Sequence, residues 1–197
     1  MCGFAGFFNP SFEKNKESYN NILNSMSNAI THRGPDGYGN WFDTDSGIGL
    51  THRRLSIIDI SAAGKQPMIS YSKRFIISFN GEIYNHLHLR KELEKKNKIN
   101  KWRGNSDTET LLEGIDTWGL DKTLRMSIGM FAFALWDREK RELCLARDRF
   151  GEKPLYYGKQ RGAFLFGSEL KSLKVHPSFE GDIDRNAITL QLRHHYI

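Results

Sequence analysis

Cys2 stands directly behind the initiator methionine, at the head of the run "MCGFAGFF". A residue as small as cysteine in second position permits removal of Met1. The thiol and a free α-amino group would then share one residue. An α-amino group titrates near about 7.7–8.0, so a good part of it is neutral base at physiological pH. It can take the thiol proton directly or through a water, giving a thiolate nucleophile without a histidine. The other reading is a small buried hydrophobe at a strand start, the usual place of a free cysteine. Cys144, between apolar residues in "ELCLA", takes that second reading and is expected in the core.

A nucleophile that attacks a carboxamide needs donors for the developing oxyanion. "FNGEIYN" offers the Asn80 side-chain amide and the Gly81 backbone N–H, because glycine lets a ligand approach the backbone closely. Asn-Gly is equally a strong hairpin-turn signal. "HRRLSIID" brings Arg53 and Arg54, and a guanidinium can fork onto a carboxylate. "SDTE" places Asp107 in the first turn of a helix, where it either balances the helix dipole or grips a substrate ammonium. A carboxylate binder together with an ammonium binder is what an amino-acid substrate requires.

The elements that must carry these residues follow from pattern. "CGFAGFFNP" reads as a buried strand closed by a turn, and "ESYNNILNSMSNAITHRG" as an amphipathic helix with Ile22, Met26 and Ile30 on one face. Strands are expected in "YGNWFD", "GIGLTHRRLSIID" and "RFIISFNGEIYN". "NHLHLRKELEKK" should be a helix capped by Asn85, with Leu87, Leu89 and Leu93 apolar. Ser106 and Glu109 fit a capping box at the start of "SDTETLLEGIDTWG". The second half is strand-rich, in "MFAFALWD", "ELCLARD", "PLYYG" and "AFLFGSE", and ends in a helical stretch from Asp184 to Ile197. Continuous apolar strands such as "MFAFALW" are buried on both faces, which two stacked sheets under helical layers would achieve. One α+β domain over residues 1–197 is the expectation, with further sequence following the apolar, helix-like ending.

Several function classes are excluded. The net charge is +6, but the basic residues are dispersed, and "HLRKELEKKNK" mixes both signs as a solvated helix face does. No nucleic-acid partner is expected. Two cysteines make no disulfide framework, no apolar run is long enough to span a bilayer, and there is no signal peptide. A reducing cytoplasm and no membrane are the expectation. His86 and His88 lie two apart on a helix, His194 and His195 are adjacent near the end, and His32 and His52 sit in loop-like motifs. No metal site is therefore expected. Phosphate-binding glycine motifs are absent, so ATP should not bind here.

Taken in order, "MCGFAGFF", "HRGPDGYG", "HRRLSIID", "NGEIYNH", "SDTE", "GMFAFALWD", "ARDRFGEKPLYY" and "FGSELKSL" resemble the N-terminal glutaminase domain of glutamine-hydrolysing asparagine synthetases. These are class II glutamine amidotransferases of the N-terminal-nucleophile hydrolase superfamily. The resemblance implies a four-layer αββα sandwich of two stacked, mainly antiparallel sheets. It implies that Cys2 is the nucleophile and its own amine the base, with Asn80 and Gly81 as the oxyanion hole. It places the glutamine α-carboxylate on Arg54, the α-ammonium on Asp107 with Glu82 nearby, and lines the pocket with Leu55, Ser56, Ile57 and Ile58. Arg53 receives no role. No cofactor is implied in this domain; ATP and Mg2+ would serve a C-terminal synthetase domain that amidates aspartate with the released ammonia. Amidation of another carboxylate, such as a sugar acid, is the alternative. A non-catalytic glutamine-binding module is a third reading, and a homodimer is a further expectation.

Overall fold

The computed structural model describes residues 1–95 and 101–195. The last residue of the "NHLHLRKELEKK" segment and the last two of the terminal helical stretch lie outside them.

Apolar alternation builds the strands β1 (Gly3–Phe8), β2 (Gly37–Asp43), β3 (Ile48–Arg54), β4 (Met68–Ile69) and β5 (Phe75–Ile83), then β6 (Gly129–Asp137), β7 (Glu142–Arg147), β8 (Tyr156–Gln160) and β9 (Ala163–Gly167). The helices are α1 (Lys16–Asn28), α2 (His86–Lys95), α3 (Asp107–Trp118), α4 (Leu120–Met126), α5 (Leu170–Lys174) and α6 (Arg185–His194). One sheet has the order β2-β3-β1-β9-β8 and the other β4-β5-β6-β7. Every ladder between these strands is antiparallel.

Three apolar layers hold the stack. Phe4, Leu50, Ile76, Ala134, Trp136 and Phe166 interdigitate between the two sheets. Tyr19, Leu23 and Met26 of α1, with Leu173 of α5, cover the outer face of the first sheet. Leu89 of α2 and Leu111, Leu112 and Ile115 of α3 cover that of the second. The result is the αββα sandwich expected from strands buried on both faces. Helix α6 buries none of its residues.

Five local readings change. Asn80 and Gly81 are not a turn: they lie inside β5, opposite Ala132 and Phe131 of β6. Asn85 does not cap α2 through its side chain. The amides of His88 and Leu89 go to its main-chain carbonyl, while its side chain grips Met126 O and the Ile128 N–H, each at 2.9 Å. Leu87, expected among the apolar residues of α2, is exposed. Ser106 Oγ does accept the Glu109 N–H at 3.2 Å, but the Glu109 carboxylate takes the N–H groups of Arg103 and Gly104 in place of completing the box. Cys144 is half-buried on the edge strand β7, since one flank of that strand has no neighbour.

Candidate functional site

Both sheets contribute one end to a single cleft. Cys2 enters just before β1, and its thiol meets the Leu55 peptide at the end of β3. The Leu55 N–H donates to Sγ at 3.3 Å, and the thiol donates to Leu55 O at 3.4 Å. Burial pushes the thiol above its ordinary value, against the Leu55 amide, the N-terminal charge and Arg54, which pull it down. Arg33 holds the Cys2 carbonyl through Nε at 2.9 Å and pairs with Glu169 at 3.0 Å. Burial alone would raise Glu169, but Arg33, Lys171 and His32 hold it at about 2.

Across the cleft, β5 presents two free donors. Asn80 is buried, and its Nδ2 has no hydrogen-bond partner among the described residues. A buried amide N–H left unpaired is costly, and this one lies in the cleft wall, open to an acceptor that enters there. The second donor follows from the ladder. Phe131 spends its N–H and C=O on Asp148, at 3.1 and 2.8 Å. Gly81 opposite is thus in a non-hydrogen-bonded pair and turns its amide away from β6. The amides in the same phase, of Phe79 and Ile83, are taken by Gln66 Oε1 at 2.7 Å and Asp107 Oδ2 at 2.8 Å. Between them the Gly81 N–H opens on the cleft. A Cβ at position 81 would lie 2.3 Å from Met130 O, so the close approach of β6 admits only glycine.

Strand alternation separates the two arginines. Arg54 faces the cleft, with Nη1 donating to Ser61 O at 2.9 Å and Nη2 to Asp59 O. Arg53 faces α1, donating to Ser27 O at 3.1 Å and lying over the Tyr38 ring. Asp107 is buried at the N-terminus of α3; burial raises its carboxyl, while the Ile83 amide and His86 draw it down. Glu82 is exposed at the rim, and Leu55, Ile57 and Ile58 line the mouth. Ser56 turns its N–H to Asp36 Oδ2 at 2.8 Å. The cleft volume is about 160 Å³, small beside the roughly 300 Å³ at which drug-sized ligand sites begin, and so scaled to a metabolite of amino-acid size.

Further residues shape the site without having been read from the sequence as chemistry. Arg33 and Asp36 belong to "HRGPD", which carried only a resemblance. Asp59 accepts the N–H groups of Ser61 and Asn105, each at 2.8 Å, and ties the loop after β3 to the loop before Asp107. Gln66 holds Phe79, and Lys153 lines the cleft beside Met1. His52, read as part of a loop-like motif, lies in β3 instead and is buried between the sheets. It donates through Nε2 to Phe79 O at 3.0 Å, and burial lowers it to about 4. No group of three His, Cys, Asp or Glu among the described residues could hold a metal ion.

The fold matches solved structures. With the glutamine phosphoribosylpyrophosphate amidotransferase of B. subtilis the TM-score is 0.68 at 20% identity, over 88% of this chain and 43% of that one. Among curated relatives, asparagine synthetase [glutamine-hydrolyzing] 3 of Bacillus subtilis is 37% identical over 191 residues, covering 96% of this chain and 30% of the relative. Asparagine synthetase [glutamine-hydrolyzing] 1 of the same organism is 40% identical over 188 residues, covering 95% and 29%. Amidase chry2 of Gibberella zeae is 35% identical over 179 residues, covering 87% and 26%. The chain thus spans about three-tenths of the length of these relatives or less. A family model described as a glutamine amidotransferase domain matches residues 1–197. A chain whose cleft gathers a thiol, two unspent donors, an arginine and a buried aspartate thus belongs, over its whole length, to the glutamine amidotransferase domain family.

Proposed function

We propose that the chain hydrolyses L-glutamine to glutamate and ammonia through Cys2, once Met1 has been removed. The observation that carries this reading is the unpartnered Asn80 Nδ2 beside the Gly81 amide, facing the cleft that holds the thiol. Asp107 and Glu82 would take the substrate ammonium and Arg54 its carboxylate, with Leu55, Ile57 and Ile58 along the flank. The side-chain carboxamide is then presented to Cys2.

The Cys2 amine takes the thiol proton as Sγ bonds to the amide carbon. Charge develops on the amide oxygen, where the Asn80 and Gly81 N–H groups receive it. The amine returns its proton to the nitrogen as the C–N bond breaks, and ammonia leaves a γ-glutamyl thioester. Water then gives a proton to the amine and adds to the thioester carbon. Collapse of that adduct releases glutamate and restores the thiol.

In a longer protein the ammonia would pass to an ATP-dependent segment that amidates aspartate, and ATP and Mg2+ would belong there. The names of the two Bacillus relatives support aspartate as the acceptor. The similarity to a relative named as an amidase supports the second reading, in which the same glutaminase serves another carboxylate. Among the described residues no helix is long and apolar enough to cross a membrane. We place the reaction in the cytoplasm, where a free catalytic thiol survives. Intact mass followed by glutamate release from glutamine tests the core of the reading: protein beginning at Cys2 should be active and Cys2→Ala inactive. Equal activity of the two removes Cys2 as nucleophile.

A further inference from the structure

Lys153 is buried in the wall of the cleft, on the loop between β7 and β8, and no carboxylate among the described residues pairs with it. Its backbone is fixed: the N–H donates to Asp148 Oδ2 at 3.1 Å, and the carbonyl accepts from Arg147 Nε at 2.6 Å. Among the described residues the one hydrogen-bond partner of the ammonium is Met1 Sδ, at 3.2 Å. A lysine is almost never this buried without a partner, and a thioether is a weak acceptor. Met1 is itself the residue that the proposed function requires to leave.

Met1 bridges Lys153 and the nitrogen of Cys2. Covalent geometry keeps Sδ within about 6 Å of that nitrogen, so Nζ lies within about 9 Å of it. When Met1 departs, the space it occupied opens between a flexible four-carbon ammonium and the new α-amine. The amine's other charged neighbours come from every element around the cleft. Arg54 of β3 is engaged with the carbonyls of residues 59 and 61, and Arg33 with the Cys2 carbonyl and Glu169. The carboxylates of Asp107 on α3, Glu82 on β5 and Asp59 also line the cleft. Three carboxylates would favour a protonated amine, which cannot serve as a base.

We propose that Lys153 is a positioning residue whose ammonium, after Met1 removal, stands beside the Cys2 amine and keeps it deprotonated at neutral pH. The inference rests on the reading that Cys2 becomes the N-terminus. A like charge within about 4–6 Å lowers the proton affinity of an amine by about one pH unit or more. Amine and thiol titrate as a coupled pair, so the same cation also favours the thiolate.

The test is the pH dependence of Cys2 alkylation by iodoacetamide between pH 5 and 9, followed on the N-terminal peptide by mass. It compares the parent with Lys153→Met, Lys153→Gln and Lys153→Arg, each verified by intact mass to begin at Cys2. The two neutral variants also remove an unpaired buried charge, a change that does not itself cost stability. The midpoint should rise by about one unit or more in both, and stay within a few tenths in Lys153→Arg. The acidic limb of kcat/KM for glutamine should move with it. Coincident midpoints in the parent and a neutral variant overturn the proposal, as does a shift in Lys153→Arg equal to that in the neutral variants. A raised KM with an unmoved midpoint also overturns it, since Lys153 would then bind the substrate carboxylate. Absence of glutamine hydrolysis with a shifted alkylation midpoint would sink the glutaminase reading and leave this one standing.

Discussion

Asn80 holds the donor on which the proposed reaction leans most, because its Nδ2 is buried in the cleft wall with no partner among the described residues. An interaction made chiefly in the transition state appears in kcat and not in KM. Asn80→Ala should therefore lower kcat for glutamine by about 10²–10³ with KM little changed, read from steady-state glutamate release. As the proposed grip on the substrate ammonium, Asp107 would act on the ground state as well, and Asp107→Ala should raise KM by about 10- to 100-fold, the worth of one charged hydrogen bond. An unchanged KM would show that Asp107 does not hold the ammonium. Cys2, Asn80, Arg54 and Asp107, which line one cleft, were candidates from the sequence because their side-chain types allow the chemistry, though each alone also had a bland reading. Arg33 and Lys153 were not: each matters through an approach across more than 30 residues, to the Cys2 carbonyl and to Met1, and residue type carries no trace of that.

At the scale of elements, β5 decides the reactive geometry. Its Phe79 peptide is pinned at both ends, by Gln66 on the N–H and His52 on the carbonyl, so the next two residues meet the cleft in one register. Gly81→Ala should cost about 1–3 kcal/mol of stability, because the new methyl presses on Met130 O and the strand must part from β6. Urea unfolding of the variant measures it, and a stability equal to the parent's would mean that β6 yields freely. The strand itself was legible as an apolar run, yet its Asn-Gly pair reads as a hairpin in isolation. The turn signal reflects what glycine permits, and here the permission is used for close strand approach. Asn85 misleads in the same way, since its side chain is drawn off to Met126 O and the Ile128 N–H, partners some 40 residues away that no local pattern announces.

For the whole molecule, three buried groups set the response to acid. His52 and His176 are each lowered by burial to about 4, while in the unfolded chain a histidine titrates at 6.5. Between those values the unfolded state binds more protons, so each contributes stability that is present above pH 6.5 and lost as pH falls toward 4. Each is worth about 3 kcal/mol. Glu113 runs oppositely: burial raises it to about 7, against the Tyr71 amide and Arg103. Its contribution is full below 4.5 and lost as pH rises to about 7. Glu113→Gln removes the offset, so the drop in unfolding free energy from pH 7 to pH 4.5 should deepen by about 3 kcal/mol. An equal drop in variant and parent would show Glu113 ionised throughout. The layering of the molecule was legible, because strands such as β6 are apolar on both faces. The strand order was not: β1 pairs with β9 across some 160 residues, and no local pattern encodes a partner that far away.

The division of labour between the sheets has a mechanical side. The thiol rides on one sheet and the two unspent donors of β5 on the other, so the cleft is built like a pair of calipers whose jaws are whole sheets and whose pivot is the packed layer around Trp136. The His52–Phe79 strut fixes one gap between them. Close-packed interiors transmit strain. A cavity opened at Trp136, well behind the reacting atoms, therefore changes the setting of the jaws, and turnover becomes a gauge of how well two sheets fit.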